Sequence, residues 1–139
     1  MSDAFEHEVL VRYAETDQMG VVYHANYLVY LEEGRTRMMA SLGHPYHLLE
    51  RDGVALVVRK ADLRYRASAR YGDRLLVRTR PSRVRGASIT YTYEVLRAED
   101  EVVLVTASTE LACVDLTDPQ RRPRMLPEGI RSALEGLLP

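Results

Sequence analysis

The sequence predicts an α+β fold in which one long helix packs against an antiparallel sheet. A single stretch, residues 23–42, shows the helical period, and four later stretches are rich in β-branched and aromatic residues. Strands grouped after one helix indicate α+β organisation, because a wound parallel sheet needs helices between its strands. The chain of 139 residues suffices for one hydrophobic core, so residues 1–139 are predicted to form a single domain.

The first predicted elements are a strand and a loop. Residues 7–14 alternate between apolar and polar side chains, with Val9 and Val11 on one face, which is typical of a strand. The loop that follows contains Asp17 and Gly20.

The long helix is predicted over residues 23–42. Its apolar residues recur at steps of three and four, namely Tyr23, Tyr27, Tyr30, Leu31, Met38 and Leu42. Tyr27, Tyr30 and Met38 are expected in the core. Gly43 and Pro45 indicate where the helix ends, because glycine suits a left-handed cap and proline cannot continue the hydrogen-bond ladder. Inside the helix, Gly34 is expected to cost less than ~1 kcal/mol of helix stability.

Four strands are predicted to follow and to run as an antiparallel meander: residues 54–67, 73–83, 87–97 and 102–114. Turn residues separate them. Pro81 lacks an N–H, so its strand is expected to end there or to lie at a sheet edge. Beyond Pro119 the chain is basic and interrupted by prolines, and residues 128–138 are compatible with a short amphipathic helix.

Composition excludes several classes of protein. No window approaches the ~18 apolar residues that a membrane span needs. The start of the chain has no basic segment, so no secretory signal is predicted and a cytoplasmic location is expected. One cysteine, Cys113, excludes an internal disulfide and a cysteine-built zinc site, and it is expected to be an inert core residue. No metal site is predicted.

The near-neutral net charge of −1 conceals a basic middle segment. Residues 59–85 contain ten Lys and Arg against two Asp and Glu, and all of the chain's basic residues except Lys60 are arginine. Arginine suits phosphate contacts, so an anionic ligand and solvated strand faces are both open explanations. Nucleic-acid binding is not expected, because no basic platform interleaved with aromatic residues is present.

Candidate catalytic residues concentrate in the loop before the long helix. Asp17 precedes the first helical turn, whose amides have no intrahelical partner and favour developing negative charge. Asp17 could therefore attack a carbonyl carbon or activate water there, Gly20 would let backbone approach a ligand, and His24 could bind substrate or orient Asp17. The residues alone leave the alternatives open that Asp17 caps a turn and that His24 makes a structural bond.

The segment from Asp17 to Arg35, DQMGVVYHANYLVYLEEGR, resembles the signature of hotdog-fold acyl-CoA thioesterases. The resemblance is to the 4-hydroxybenzoyl-CoA thioesterase family, including its Tol–Pal-associated short-chain branch, and the order of elements matches over about residues 6–115, the expected core. It implies a hotdog fold, an antiparallel sheet wrapped around one long central helix. It also implies homo-oligomers, dimers or dimer-of-dimers tetramers, with active sites between subunits.

The resemblance implies hydrolysis of acyl-CoA thioesters to free acid and CoA. Asp17 would attack the thioester or activate water, the backbone amide near Tyr23 would polarise the carbonyl, and His24 would assist. Gly20 and Val22 would lie against the substrate. No cofactor is expected, because coenzyme A is part of the substrate.

Arginines of the basic segment would bind the phosphates of coenzyme A. The resemblance favours Arg83 and Arg85, with Ser88 in the same turn, because related enzymes bring strand-end residues to the nucleotide. Four other arginines occur as i, i+2 pairs on strand faces and are expected to face solvent or another subunit: Arg64, Arg66, Arg78 and Arg80. Glu32 and Glu33 are expected to be structural, with Arg35 and Arg37 as nearby partners.

Two other functions compete with hydrolysis. A hotdog dehydratase or hydratase acting on a 3-hydroxyacyl thioester would need a loop histidine and a helix acid, whereas this loop carries the acid. A non-catalytic module that binds acyl-CoA or acyl-carrier protein would not need the combination of Asp17, Gly20 and His24.

Overall fold

The computed structural model describes residues 4–139 and contains a five-stranded antiparallel sheet that packs on one long helix. The strands are β1 (Phe5–Leu10), β2 (Val54–Tyr65), β3 (Arg74–Arg85), β4 (Ser88–Arg97) and β5 (Val103–Asp115). The helices are α1 (Asn26–Ser41), α2 (Tyr46–Arg51) and α3 (Glu128–Glu135). Across the described range, every helix is too short or too polar to cross a membrane. The predicted α+β class is confirmed.

The sheet order β1-β3-β4-β5-β2 corrects one part of the predicted topology. Strands β3, β4 and β5 form a meander, as expected, but β2 is not beside β3. It pairs with β5, from Val54↔Asp115 to Tyr65↔Val105. Residues 66–73 connect β2, at one edge of the sheet, to β3, which lies next to the other edge strand β1. β2 and β3 are therefore consecutive in sequence but not adjacent in the sheet.

Several predicted boundaries were also wrong. The first strand ends at Leu10 rather than 14, because residues 13–15 form a 3₁₀ turn. The long helix begins at Asn26 rather than 23. The sequence analysis missed α2, whose first residue follows Pro45, a residue with the extended backbone typical of a position before a helix.

Pro81 lies inside β3 without disrupting it. The described part of β1 pairs with β3 only as far as Phe5↔Thr79, and a bulge separates Pro81 from Arg83 in the pairing with β4. Proline is tolerated at such a local edge and bulge. β3 therefore continues to Arg85 instead of ending at 83.

The core fills the space between α1 and the inner face of the sheet. Tyr27, Tyr30 and Met38 are buried there, as predicted, and so is Cys113. The core extends past the expected limit of about residue 115, because the C-terminal segment adds three buried side chains, Leu126, Ile130 and Leu134.

On β3 and at the β2 edge, arginines of the basic segment form cross-strand ion pairs. Arg78 lies 2.6 Å from Glu6, and Arg59 pairs with Glu110 of β5. Part of the positive charge that stands out in the sequence is therefore balanced by acids from other segments.

Gly34 is the point of closest approach between α1 and the sheet. A Cβ atom at this position would lie 2.6 Å from Thr79 Oγ1 and 2.8 Å from Val77 Cγ1. Thr79 is fully buried, so it has little room to move away. The expectation that Gly34 merely weakens the helix was therefore incomplete, because its missing side chain sets the distance between helix and sheet.

We expect Gly34→Ala to destabilise the fold although alanine favours helix. The overlap with β3 should cost about 1–3 kcal/mol, which outweighs a helix-propensity gain of about 1 kcal/mol. Urea unfolding of the purified variant measures this difference. Gly34→Ala combined with Thr79→Ala should recover part of the loss, and a single variant as stable as wild type would contradict the close packing.

Candidate active site

The loop before α1 is anchored by Glu15, which is 8% exposed. The backbone carbonyl of Glu15 accepts hydrogen bonds from the Tyr23 amide and from Asn26 Nδ2, both at 2.9 Å. The carboxylate of Glu15 accepts from the Tyr30 hydroxyl and from the Arg12 amide, also at 2.9 Å each. The loop is thus fixed against the first two turns of the helix.

Asp17 lies in a tight turn of this loop. Its amide donates to the Val21 carbonyl at 2.9 Å, and the Gly20 amide donates to the Asp17 carbonyl at 3.0 Å. Gly20 has φ +79°, a conformation that favours glycine. Asp17 Oδ1 accepts from the Met19 amide at 2.9 Å, whereas Oδ2 has no hydrogen bond within the described structure. Asp17 therefore caps its turn, as one alternative predicted, and still presents a free carboxylate oxygen.

A cleft of about 740 Å³ opens beside Asp17. Tyr13 and Tyr71 line it and contact each other edge-to-face, with ring centroids 5.7 Å apart. Gly20 lies on the same cleft. Arg70 is a cation beside Gly20, since its Nη1 lies 3.9 Å from the position a Cβ of Gly20 would occupy. The cleft can accept a ligand with an apolar and an anionic part.

The start of α1 presents two free backbone amides. The amides of His24 and Ala25 make no hydrogen bond in the described part of the chain, whereas the Asn26 amide donates to the Tyr23 carbonyl at 2.9 Å. The Tyr23 amide itself is taken by Glu15, so the free amides near Tyr23 are those of the next two residues. Two adjacent free amides at a helix N-terminus favour a negatively charged oxygen.

Val22 does not face the cleft. Its side chain is 4% exposed and belongs to the core, and its amide donates to the Ala69 carbonyl at 2.9 Å. The side chain of Val22 is therefore not on the surface of the cleft, and Val22 packs beneath the loop.

His24 is exposed and makes no hydrogen bond to Asp17. Its ring contacts Tyr23, with centroids 4.5 Å apart, and meets the Tyr65 ring almost perpendicularly at 6.2 Å. The Tyr65 hydroxyl donates to the backbone carbonyl of His24 at 3.1 Å. The geometry ties the backbone of His24 to β2 and leaves its imidazole on the surface.

Within one chain, Arg83, Arg85 and Ser88 do not meet Asp17. They flank the β3–β4 turn, with Arg85 opposite Ser88. The Asp17 loop lies at the other end of β3, next to residues 69–73. At about 3.3 Å per residue, the twelve residues of β3 separate the two groups by roughly 35 Å.

The two helix glutamates have structural contacts. Glu33 lies 3.1 Å from His7 of β1, rather than pairing with an arginine as predicted. Glu32 lies 3.9 Å from Arg35, which agrees with its expected partner. Arg35 itself is buried, and among residues 4–139 its Nε has no hydrogen-bond partner.

Three residues with contacts at this site were not predicted from the sequence: Glu15, Asn26 and Tyr65. Asn26 falls inside the segment from Asp17 to Arg35 that carried the resemblance, so the sequence offered a reason to select it. Glu15 acts through its backbone carbonyl, which any residue has, and through a carboxylate that meets Tyr30 fifteen residues away. Tyr65 reaches His24 across 41 residues. Neither contact leaves a local pattern.

Known proteins that are similar to this chain are thioesterases. The Thioesterase-like superfamily profile matches residues 11–134. The acyl-CoA thioester hydrolase YbgC of Escherichia coli O157:H7 is 37% identical over 91% of this chain and 92% of that protein. The acyl-CoA thioesterase YbgC of Haemophilus influenzae is 34% identical over 99% and 98%.

A solved structure shows the same architecture. The 1,4-dihydroxy-2-naphthoyl-CoA thioesterase from Synechocystis superposes with a TM-score of 0.88 at 29% identity, over 96% of this chain and 97% of that one. The five-stranded sheet around one long helix, with an acidic loop at the helix start, defines a hotdog-type thioesterase. The chain belongs to the thioesterase-like superfamily, and the predicted fold and enzyme class are confirmed.

Glu15 makes stability depend on pH. Burial alone would raise the pKa of Glu15, but hydrogen bonds from the Arg12 amide, the Tyr30 hydroxyl and the Arg12 side chain outweigh it, so the pKa lies below its ordinary 4.5. A lowered pKa in the folded state means that these bonds stabilise the fold above about pH 4.5 and are lost as the pH falls through the lowered pKa.

We therefore expect Glu15→Gln to lose about 1–3 kcal/mol of stability at pH 7 and to show a smaller decrease than wild type on acidification. Urea unfolding between pH 7 and pH 3 measures both effects. Glu50→Gln, at an exposed helix position, is the matched control. Parallel pH profiles for Glu15→Gln and wild type would show that Glu15 does not provide this linkage.

Proposed function

We propose that this chain hydrolyses acyl-CoA thioesters to free acid and CoA, with Asp17 as the catalytic carboxylate. One observation carries the proposal: Asp17 has a free carboxylate oxygen on a large cleft, in the loop that leads to two free amides at the start of α1. Thioester hydrolysis needs both a nucleophile or base and donors for the oxyanion. The names of the relatives support the same reaction.

In the proposed mechanism, the thioester oxygen faces the amides of His24 and Ala25. Asp17 Oδ2 either takes a proton from water as that water attacks the carbonyl carbon, or attacks the carbon itself to form an anhydride that water then hydrolyses. The C–S bond breaks in either route, and the CoA thiolate leaves and is protonated. No cofactor takes part, because coenzyme A enters as part of the substrate.

The dehydratase alternative receives less support. That chemistry would pair a loop histidine with a helix acid, but the ring of His24 has no acid partner in the described structure. The histidine–acid pair that does form, His7 with Glu33, joins β1 to the middle of α1 and lies away from the Asp17 loop.

We further propose that two copies pair through β2, the edge strand beside β5. β2 is twelve residues long, and Val57 and Val58 on it are more than 40% exposed. Leu28 and Val29 on the outer face of α1 are exposed as well. A long strand edge with unpaired backbone groups is a template for pairing, and antiparallel pairing of β2 with itself satisfies two-fold symmetry.

This pairing would complete the site. His24 lies at the Tyr65 end of β2, whereas the β3–β4 turn lies at the Val54 end. Antiparallel β2 strands place the Val54 end of one copy at the Tyr65 end of the other. Arg83, Arg85 and Ser88 of a second copy would then approach the Asp17 end and could bind the phosphates of CoA. We propose the cytoplasm as the compartment.

We expect Asp17→Asn to lower kcat for acyl-CoA hydrolysis about a hundredfold or more, because it removes the base or nucleophile while keeping the shape of the side chain. Thiol release from a panel of short aliphatic and aromatic acyl-CoAs measures the effect. Asp52→Asn, at an exposed position after α2, is the matched control.

Three outcomes of this experiment differ in meaning. Loss of activity in Asp17→Asn alone supports the proposal. Unchanged activity moves the catalytic role to another residue. If wild type binds CoA thioesters without hydrolysing any, the binding-module alternative is favoured.

Mixing two impaired variants tests whether each site uses two chains. The Asp17→Asn chain is co-expressed with an Arg83→Ala/Arg85→Ala chain, whose KM should be raised. Random dimers should contain about a quarter of the wild-type number of intact sites, because half of them are mixed and each has one complete site. Activity no greater than the sum of the separate variants would show that Asp17 of one chain and the arginines of another do not share a site.

A further inference from the structure

Tyr65 connects the end of β2 to the start of α1. Its hydroxyl donates to the His24 carbonyl at 3.1 Å. Its ring contacts the ring of Tyr27 with centroids 5.7 Å apart, in addition to the perpendicular contact with His24. Tyr27 is buried, and its own hydroxyl accepts from the Ala69 amide at 3.3 Å. Two ring contacts, one of them to a buried residue, therefore hold the phenol at one backbone carbonyl.

The carbonyl that Tyr65 binds belongs to the same peptide unit as the Ala25 N–H. A hydrogen bond to a peptide carbonyl strengthens the N–H of that unit as a donor. At the His24 carbonyl the helical bond from the Tyr27 amide is long, at 3.4 Å, so the phenol provides the shorter bond.

The preceding peptide unit is arranged in the same way. The Tyr23 carbonyl accepts from the Asn26 amide at 2.9 Å, and the N–H of that unit is the free amide of His24. Both free amides of the helix start therefore belong to peptide units whose carbonyls are hydrogen-bonded. The bond to the Tyr23 carbonyl comes from the Asn26 amide of the helix, and the bond to the His24 carbonyl comes from the Tyr65 hydroxyl of the sheet.

We propose that Tyr65 is a positioning residue for the thioester reaction, which fixes and polarises the His24–Ala25 peptide so that the Ala25 amide binds the oxyanion. This inference rests on the proposed function. Tyr65 acts through the peptide and need not touch the substrate. Because the oxyanion charge develops only in the transition state, the effect falls on kcat and not on KM.

Tyr65→Phe is the direct test, because it keeps the ring and removes the hydroxyl. We expect kcat to fall about three- to tenfold, and KM to stay within about twofold of wild type. Tyr93→Phe is the matched control, since it removes a buried phenol that is hydrogen-bonded to Thr109 Oγ1 at 2.5 Å. That control should lower Tm and leave kcat unchanged.

Two further measurements separate positioning from a structural role. The ¹H–¹⁵N spectrum of Tyr65→Phe should show the Ala25 amide proton shifted upfield, with a smaller change at the His24 amide. Because Tyr65 lies on the proposed β2 interface, assembly is checked by size-exclusion chromatography. We expect the elution volume to match that of wild type.

Each outcome has a definite meaning. If the Ala25 amide proton resonance shifts in Tyr65→Phe but kcat is unchanged, the inference is overturned. It is also overturned if that resonance does not shift. Loss of assembly with parallel changes in kcat and KM also overturns it in favour of a structural role. If wild type is active and Asp17→Asn is not, but Tyr65→Phe behaves as wild type, this inference fails alone. If wild type hydrolyses no acyl-CoA, the proposed function fails and this inference fails with it.

Discussion

The arrangement of the site depends on one buried residue, Glu15, which binds the loop to the helix in two ways. Its carbonyl accepts from the Tyr23 amide, and its carboxylate accepts from the Tyr30 hydroxyl seven residues further along. The first contact also decides which helix-start amides remain free. Asp17 follows two residues later, so its distance from those amides is fixed by the same contacts. A carboxylate used for structure therefore positions the neighbouring carboxylate that is proposed for catalysis.

The sheet separates the two halves of the proposed site, and the proposed pairing through the edge strand would bring them together. Within one chain, the loop and the β3–β4 turn lie at opposite ends of a twelve-residue strand. A two-fold axis across β2 would exchange these ends. The same strand carries Tyr65, which contacts the helix start. β2 would thus link the chemistry of one copy to the substrate-binding turn of the other, which explains why a twelve-residue strand forms this edge.

The sequence predicted features that depend on residues close together in the chain, and it missed contacts between residues that are far apart in the chain. The loop residues Asp17, Gly20 and His24 occur within eight positions, so both motif and helix period located them. The Tyr23 amide itself is not free because it bonds to a carbonyl eight residues upstream, which no side-chain pattern records. Burial of Val22 and pairing of β2 with β5 depend on tertiary packing, which alternation within a strand does not specify. Gly34 was visible in the sequence as a glycine inside a helix. The reason that a glycine is needed there is Thr79 of β3, which leaves no room for a Cβ atom.

The pairing of β2 with β5 also has a kinetic consequence. Strands β3, β4 and β5 meet through short turns, so their contacts form between segments close in sequence. β2 must remain without a partner until β5 is in place, since Val54 pairs with Asp115 about sixty residues later. Such long loop closures place a chain among the slower-folding small proteins. The meander is then the natural nucleus, and the strand that ends beside the active site is among the last to join the sheet.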